Sequence, residues 1–188
     1  DKLNEKKIIE TIAGQELKTL IDLSKKTKKF IKPLMRRLDN SEIIEHAAIV
    51  QALKPENLND TKNGPKIAKA LQLRLNRISS ETEKNWVVNY ENNSFEIERK
   101  LRGFNQKFLI DQNFIIAPEC KELVKIQYDL TDNFYRLDPN NNYYAGTINN
   151  KNDIFNIYGP LELIEKILSI GRAGIQVNRY KGLGEMNP

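Results

Sequence analysis

The chain has 188 residues, 39% hydrophobic and 29% charged, with a formal net charge of +5; that is enough for one domain with a real core, or for one domain plus an appendage. No stretch approaches the about 20 consecutive apolar residues of a membrane span, and no apolar leader is present, so a soluble, cytoplasmic protein with no membrane contact is expected. One cysteine, Cys120, and one histidine, His46, exclude an intrachain disulfide and the clustered His/Cys sets that hold structural zinc.

The charge is unevenly placed. Residues 1–40 hold eleven Lys/Arg against six Asp/Glu, whereas residues 41–188 hold nineteen of each. All of the positive excess therefore lies in the first fifth of the chain. A localised basic excess has two readings, an anionic partner such as nucleic acid or a solvated helix face.

Residues 14–38 read as a long helix. Leu17, Leu20, Ile21, Ile31, Leu34, Met35 and Leu38 recur at helical spacing. Lys18, Lys25, Lys28, Lys29, Lys32 and Arg36 fall within an arc of roughly 100° when plotted at about 100° per residue, so a basic stripe lies beside the apolar one. Pro33 should kink or end the helix nearby. Asp39-Asn40-Ser41 is a break, with Ser41 placed to cap a second helix over about 41–53. His46 lies in the apolar stretch of that helix. Residues 55–64 read as loop, and Pro65 opens a third helix to about Ser79 with Ile67, Ala68, Leu71, Leu75 and Ile78 as its stripe.

The pattern changes at Lys84. Trp86, Val88 and Tyr90 alternate, as do Phe95 and Ile97, with turns at Glu91-Asn92-Asn93 and Arg102-Gly103-Phe104-Asn105 before Lys107–Ile110. This predicts an antiparallel meander. Pro118 and Glu119 start a helix to about Asp132, in which Cys120 reads as a small buried side chain. Residues 133–158 read as irregular chain with short strands around Tyr143–Ala145 and Asp153–Ile157. Gly159 and Pro160 open a helix whose core face is Leu163, Ile164, Ile167 and Leu168, with Arg172 in its last turn and Gly174 after it. Ile175–Asn178 is a short strand. The fold class is α+β, a helical hairpin and third helix followed by a mostly antiparallel sheet with two further helices.

The strongest motif is Arg179-Tyr180-Lys181-Gly182-Leu183-Gly184-Glu185-Met186-Asn187-Pro188. Gly182 and Gly184 permit close backbone approach of a partner. Arg179 and Lys181 are cations suited to phosphate, and Glu185 adds a carboxylate. The spacing is not that of a phosphate-cradling P-loop, and by its physics alone such a run is more often just a turn.

This run is similar to the one that closes the metal-binding Toprim region of bacterial type IIA topoisomerase B subunits, apart from Asn178, where the family usually has Gln. The segment Ile12-Ala13-Gly14-Gln15-Glu16-Leu17-Lys18-Thr19-Leu20 resembles the start of the large insert that interrupts this region in gyrase B subunits of many Gram-negative bacteria. The resemblance implies a piece of a longer subunit, with residues 1–174 as the insert (a helical part about 10–80, a sheet-containing part about 84–174) and 175–188 returning into the Toprim region. It implies a parent that supercoils DNA negatively with an A subunit, as an A2B2 assembly using ATP and Mg2+. No cofactor, metal or catalytic residue is expected in this segment, because the family's nucleotide-binding and magnesium-binding motifs are absent. Asp129 and Asp132 read as a solvated helix face. By resemblance Arg179, Tyr180, Lys181, Gly182, Gly184 and Glu185 belong to the DNA-binding region, Tyr180 without a nucleophilic role. The alternatives are a topoisomerase IV B subunit, a buttressing or protein-interaction module that never touches DNA, and a free-standing nucleic-acid-binding protein.

Overall fold

The computed structural model describes residues 9–135, 146–150, 153–171 and 176–180. Its first element was not anticipated: β1 (Ile9–Ile12) precedes the long helix α1 (Gly14–Leu34). The helix stops one residue after Pro33, short of Leu38, in line with the expected kink or end near that proline. Its buried face is Leu20, Leu23, Ser24, Thr27, Ile31 and Leu34. Two positions that the apolar pattern skipped, Ser24 and Thr27, are buried because each hydroxyl donates to the carbonyl four residues back, at 2.8 and 2.9 Å. Met35, read as part of the stripe, is 37% exposed.

The second helix, α2 (Ser41–Ile49), is capped by Asn40 and not by Ser41: the Asn40 side chain accepts from Ile43 N at 2.9 Å. It also ends before residue 53. Gln51 takes a left-handed conformation (φ 62), and the Ala52 N–H then reaches the Ala47 carbonyl at 2.8 Å, a Schellman closure. A single turn, α3 (Pro55–Leu58), forms within the expected loop. The third predicted helix is α4 (Gly64–Ile78). Gly64 is needed there because a Cβ would lie 2.5 Å from the Tyr90 ring, whose hydroxyl donates to the Leu58 carbonyl.

The meander forms as expected, with β2 (Val87–Glu91), β3 (Ser94–Leu101) and β4 (Phe104–Ile110) in the order β2-β3-β4. Both connections are two-residue turns, Asn92-Asn93 and Arg102-Gly103, and all four residues have positive φ. Val88, Phe95, Ile97 and Ile110 face inward beside Trp86. A short helix, α5 (Gln112–Ile115), leads into α6 (Pro118–Phe134). Asp129 and Asp132 lie on α6 and both are exposed, as expected of a solvated helix face.

A second antiparallel sheet has the order β1-β7-β5-β6, from β5 (Gly146–Asn150), β6 (Asp153–Ile157) and β7 (Gln176–Tyr180). The expected strand at Tyr143–Ala145 lies outside the described residues. Between β6 and β7 runs α7 (Pro160–Ile170), followed by Gly171; Arg172 and Gly174 lie outside the described residues. In α7 Leu168 is 69% exposed, and the buried face is Pro160, Leu163, Ile164 and Ile167. The helix α1 packs on α7, α6 and α2, and α4 packs on β2. One continuous core cluster extends from Ile12 to Val177 and joins both sheets. The fold is α+β.

Candidate nucleic-acid interface

The helix α1 carries its cations on the side turned away from its packing partners. Lys18, Lys25, Lys28, Lys29 and Lys32 are all exposed, Lys26 joins them on one flank, and Arg36, also exposed, lies in the turn just past the helix end at Leu34 rather than on the helix itself. At about 100° per residue the centre of the stripe lies roughly 140° from the centre of the buried face, so it is nearer opposite than adjacent. No carboxylate occurs between Asp22 and Asp39 in the sequence. Among the described residues, none of the six stripe cations is in an ion pair. Arg37, just past the helix, is tied down by its Nη1 donating to the Asn113 carbonyl at 3.2 Å.

The geometry of this face suits a polyanion. Lys25 to Lys32 covers roughly 10 Å along the helix at about 1.5 Å per residue, comparable with about three phosphates of one DNA strand at about 3.4 Å each along the axis. At the other end of the stripe the field is weaker, because Asp22 sits one turn from Lys18 and Lys26. There a shallow groove between α1 and α7 is lined by Leu17, Ile21 and Ile167 with Lys18, Asp22 and Lys25 at its rim.

The terminal motif is only partly described. Arg179 and Tyr180 close β7, with their Cα atoms in register with Glu10 and Ile9 of β1. Lys181, Gly182, Gly184 and Glu185 lie outside the described residues.

A second polar constellation is buried at the junction of α2, α4 and α7. Arg74 donates from Nε to His46 Nδ1 at 3.1 Å and from Nη2 to the Tyr158 carbonyl at 2.9 Å. His46 Nε2 lies 3.7 Å from Glu45 Oε2. Glu45 Oε1 accepts from Leu161 N at 2.7 Å, which caps α7 from another helix. Gly159 makes this approach possible, since a Cβ there would lie 2.5 Å from Glu45 Oε1. Burial pushes the Glu45 carboxyl up to about 8. Burial, and then the Arg74 charge, hold His46 well below its ordinary value. Both imidazole nitrogens face partners in this network, so His46 does not serve a Cys–His dyad. Cys120 is fully buried, and burial pushes its thiol up to about 12. It is not a nucleophile in waiting.

Glu42, Glu162 and Glu165 join Glu45 and His46 around a cleft of about 270 Å3. Burial raises the carboxyls of Glu42 and Glu162. The cleft is lined by carboxyls, in contrast to the cationic α1 face. Among the described residues no group of three or more His, Cys, Asp or Glu side chains is arranged to hold a metal ion. No described helix is long and apolar enough to cross a membrane.

Neither the buried network nor its acidic cleft was read from the sequence. The available signal was Arg74, a cation on the apolar stripe of its own helix, three residues after Leu71 and one before Leu75.

Comparison with known proteins joins these observations to a family. The family model described as the DNA gyrase B subunit insert domain matches residues 2–134. The chain is 28% identical over 179 residues to the DNA gyrase B subunit of Caulobacter vibrioides, an alignment covering 95% of this chain and 20% of that protein. It is 30% identical over 149 residues to the DNA gyrase B subunit of Rickettsia bellii, covering 79% of this chain and 17% of that protein. With the Rickettsia conorii protein the identity is 26% over 179 residues, covering 95% and 21%. The chain thus spans about a fifth of the length of the curated relatives it matches. With well over half of its residues matched by that family model, including the whole of α1 and the meander, the chain belongs to the DNA gyrase B subunit insert domain family.

Proposed function

We propose that this chain is the non-catalytic insert of a B subunit whose parent enzyme supercoils DNA, and that α1 gives the enzyme a sequence-independent grip on the duplex. The observation that carries the reading is the row of exposed, ion-pair-free cations at Lys25, Lys28, Lys29 and Lys32, opposite a face committed to the core. Such contacts act by releasing counterions from DNA, so they strengthen binding to any sequence and weaken as salt rises. In this reading the intact subunit works with an A subunit in an A2B2 assembly and uses ATP and Mg2+. Arg179, Tyr180, Lys181, Gly182, Gly184 and Glu185 are assigned to its DNA side.

The test is binding of the chain to short duplex DNA across a salt series. The variant with Lys25, Lys28, Lys29 and Lys32 all changed to Glu is expected to lose binding. Milder Lys→Ala changes should each lower the salt slope by about one. Arg179→Ala and Lys181→Ala variants, measured in the same series, check the assignment of the terminal run. No binding by the unaltered chain even at low salt would replace this reading with a buttress that contacts protein alone.

A further inference from the structure

We propose that the tip of the β3–β4 hairpin is a second nucleic-acid contact, in which the Phe104 ring stacks on an unpaired or unstacked base while Lys100 and Arg102 neutralise the flanking phosphates. It lies on different elements from α1 and goes beyond the backbone grip proposed there.

In the register of the hairpin Leu101 faces Phe104, Arg99 faces Gln106 and Ile97 faces Phe108, so these residues share its inner face. Near the base, that face is buried under Phe95, Ile97 and Ile110. Midway, Arg99 lies over the Trp86 ring at 4.3 Å and donates to Gln106 at 2.7 Å. At the tip the hairpin has outrun the core, and Phe104 is 78% exposed, the most exposed large hydrophobic side chain among the described residues. Among those residues it makes no ring–ring or ring–cation contact.

Its surroundings select the partner. Lys100, Arg102, Gly103 and Asn105 are all exposed, and neither Lys100 nor Arg102 is in an ion pair with a described residue. Lys107, by contrast, is engaged by Glu98 at 2.9 Å. One ring amid cations is too small an apolar patch for a protein docking face, which usually spans several hundred Å2. It is the right size for one base, since every base offers a π-face and stacking tolerates any sequence. The turn itself bears a side chain that its backbone disfavours. Arg102 has φ 48, where the other hairpin of the meander places asparagine. A cation is held at the tip despite that penalty.

The experiment compares the full 188-residue chain with its variants on an intact duplex and on the same duplex carrying a single-stranded gap. The unaltered chain is expected to prefer the gapped DNA. Phe104→Ala should bind gapped DNA about tenfold more weakly, within the range for loss of one base–aromatic stack, and leave the intact duplex unchanged. Phe104→Trp should keep the preference. Arg102→Gly suits the turn better, so it removes the cation without unfolding the hairpin; it should weaken both complexes and reduce the salt slope by about one. Equal affinity of Phe104→Ala and the unaltered chain for gapped DNA overturns the proposal and leaves the α1 reading standing. Loss of all binding on reversing the α1 lysines, with the Phe104 effect absent beforehand, points to α1 alone. Weakening of both DNA forms to the same degree by Phe104→Ala also overturns it, because a stack on an unpaired base must discriminate between them.

Discussion

Glu45 is a carboxyl that the fold holds protonated near neutral pH. Its value of about 8 in the fold, against an ordinary 4.5, means the native state keeps a proton that the unfolded chain releases. The stability it contributes is full below pH 4.5 and is lost as pH rises through 8. Glu42 and the half-buried Glu162, both raised by desolvation beside the cleft, act in the same direction. His46 acts oppositely: its value is depressed in the fold, so its contribution is full above pH 6.5 and is lost on acidification. Between pH 6.5 and 8 the carboxyls therefore set the slope. Urea unfolding across that window should show a loss of about 1–2 kcal/mol on going up in pH, at about 1.4 kcal/mol per pKa unit. Glu45→Gln keeps an oxygen for Leu161 N, and its profile should be markedly flatter; an unchanged slope would remove Glu45 as the titrating group. That His46 lies in an apolar stretch was legible in the sequence. Its partner was not, because Arg74 stands 28 residues away on another helix and no local periodicity links the two.

At the scale of the element, α1 separates holding the fold from meeting a partner. Ile31 is 2% exposed on the packed face, and Ile31→Ala should destabilise the chain by about 2–5 kcal/mol in chemical unfolding, as for other buried aliphatic truncations. Lys28→Ala, on the solvent side, should change stability by less than about 0.5 kcal/mol. Comparable effects of the two would mean that the lysine face is packed against something. The helix was legible because long amphipathic periods survive single exceptions. Its exceptions, Ser24 and Thr27, were not, since their hydroxyls satisfy themselves on the helix's own backbone and so pass as core residues. The α2 cap was misplaced by one residue because Asn40 and Ser41 are both competent caps and only geometry selects between them. The meander was readable from alternation and its two turns. The strand β1 was not, for four residues carry little pattern and their partner β7 lies more than 160 residues further on. Lys18, Lys25, Lys28, Lys29 and Lys32 were read as a candidate site and Lys26 was not, whereas the Phe104 tip was seen only as a turn.

The whole molecule shares one core, although the change of pattern near residue 84 divides the sequence into a helical and a sheet-containing part. Trp86, the single tryptophan, is 1% exposed at the boundary between the two. Its fluorescence and the far-ultraviolet signal of the helices should therefore lose their native values at the same denaturant concentration. Separate midpoints would mean that the parts unfold independently. The family was legible from two places, and the comparisons show it through a family model matched over residues 2–134 and relatives aligned over 95% of the chain. The second sheet also decides how force passes through the molecule. The open end of the β1–β7 ribbon is the Ile9–Tyr180 pair and its inner end is Ile12–Val177. A pull that separates residues 9 and 180 loads these rungs one after another, like a zip, instead of shearing all of them together. Among the described rungs the ribbon thus yields from its Ile9–Tyr180 end inward, one pair at a time.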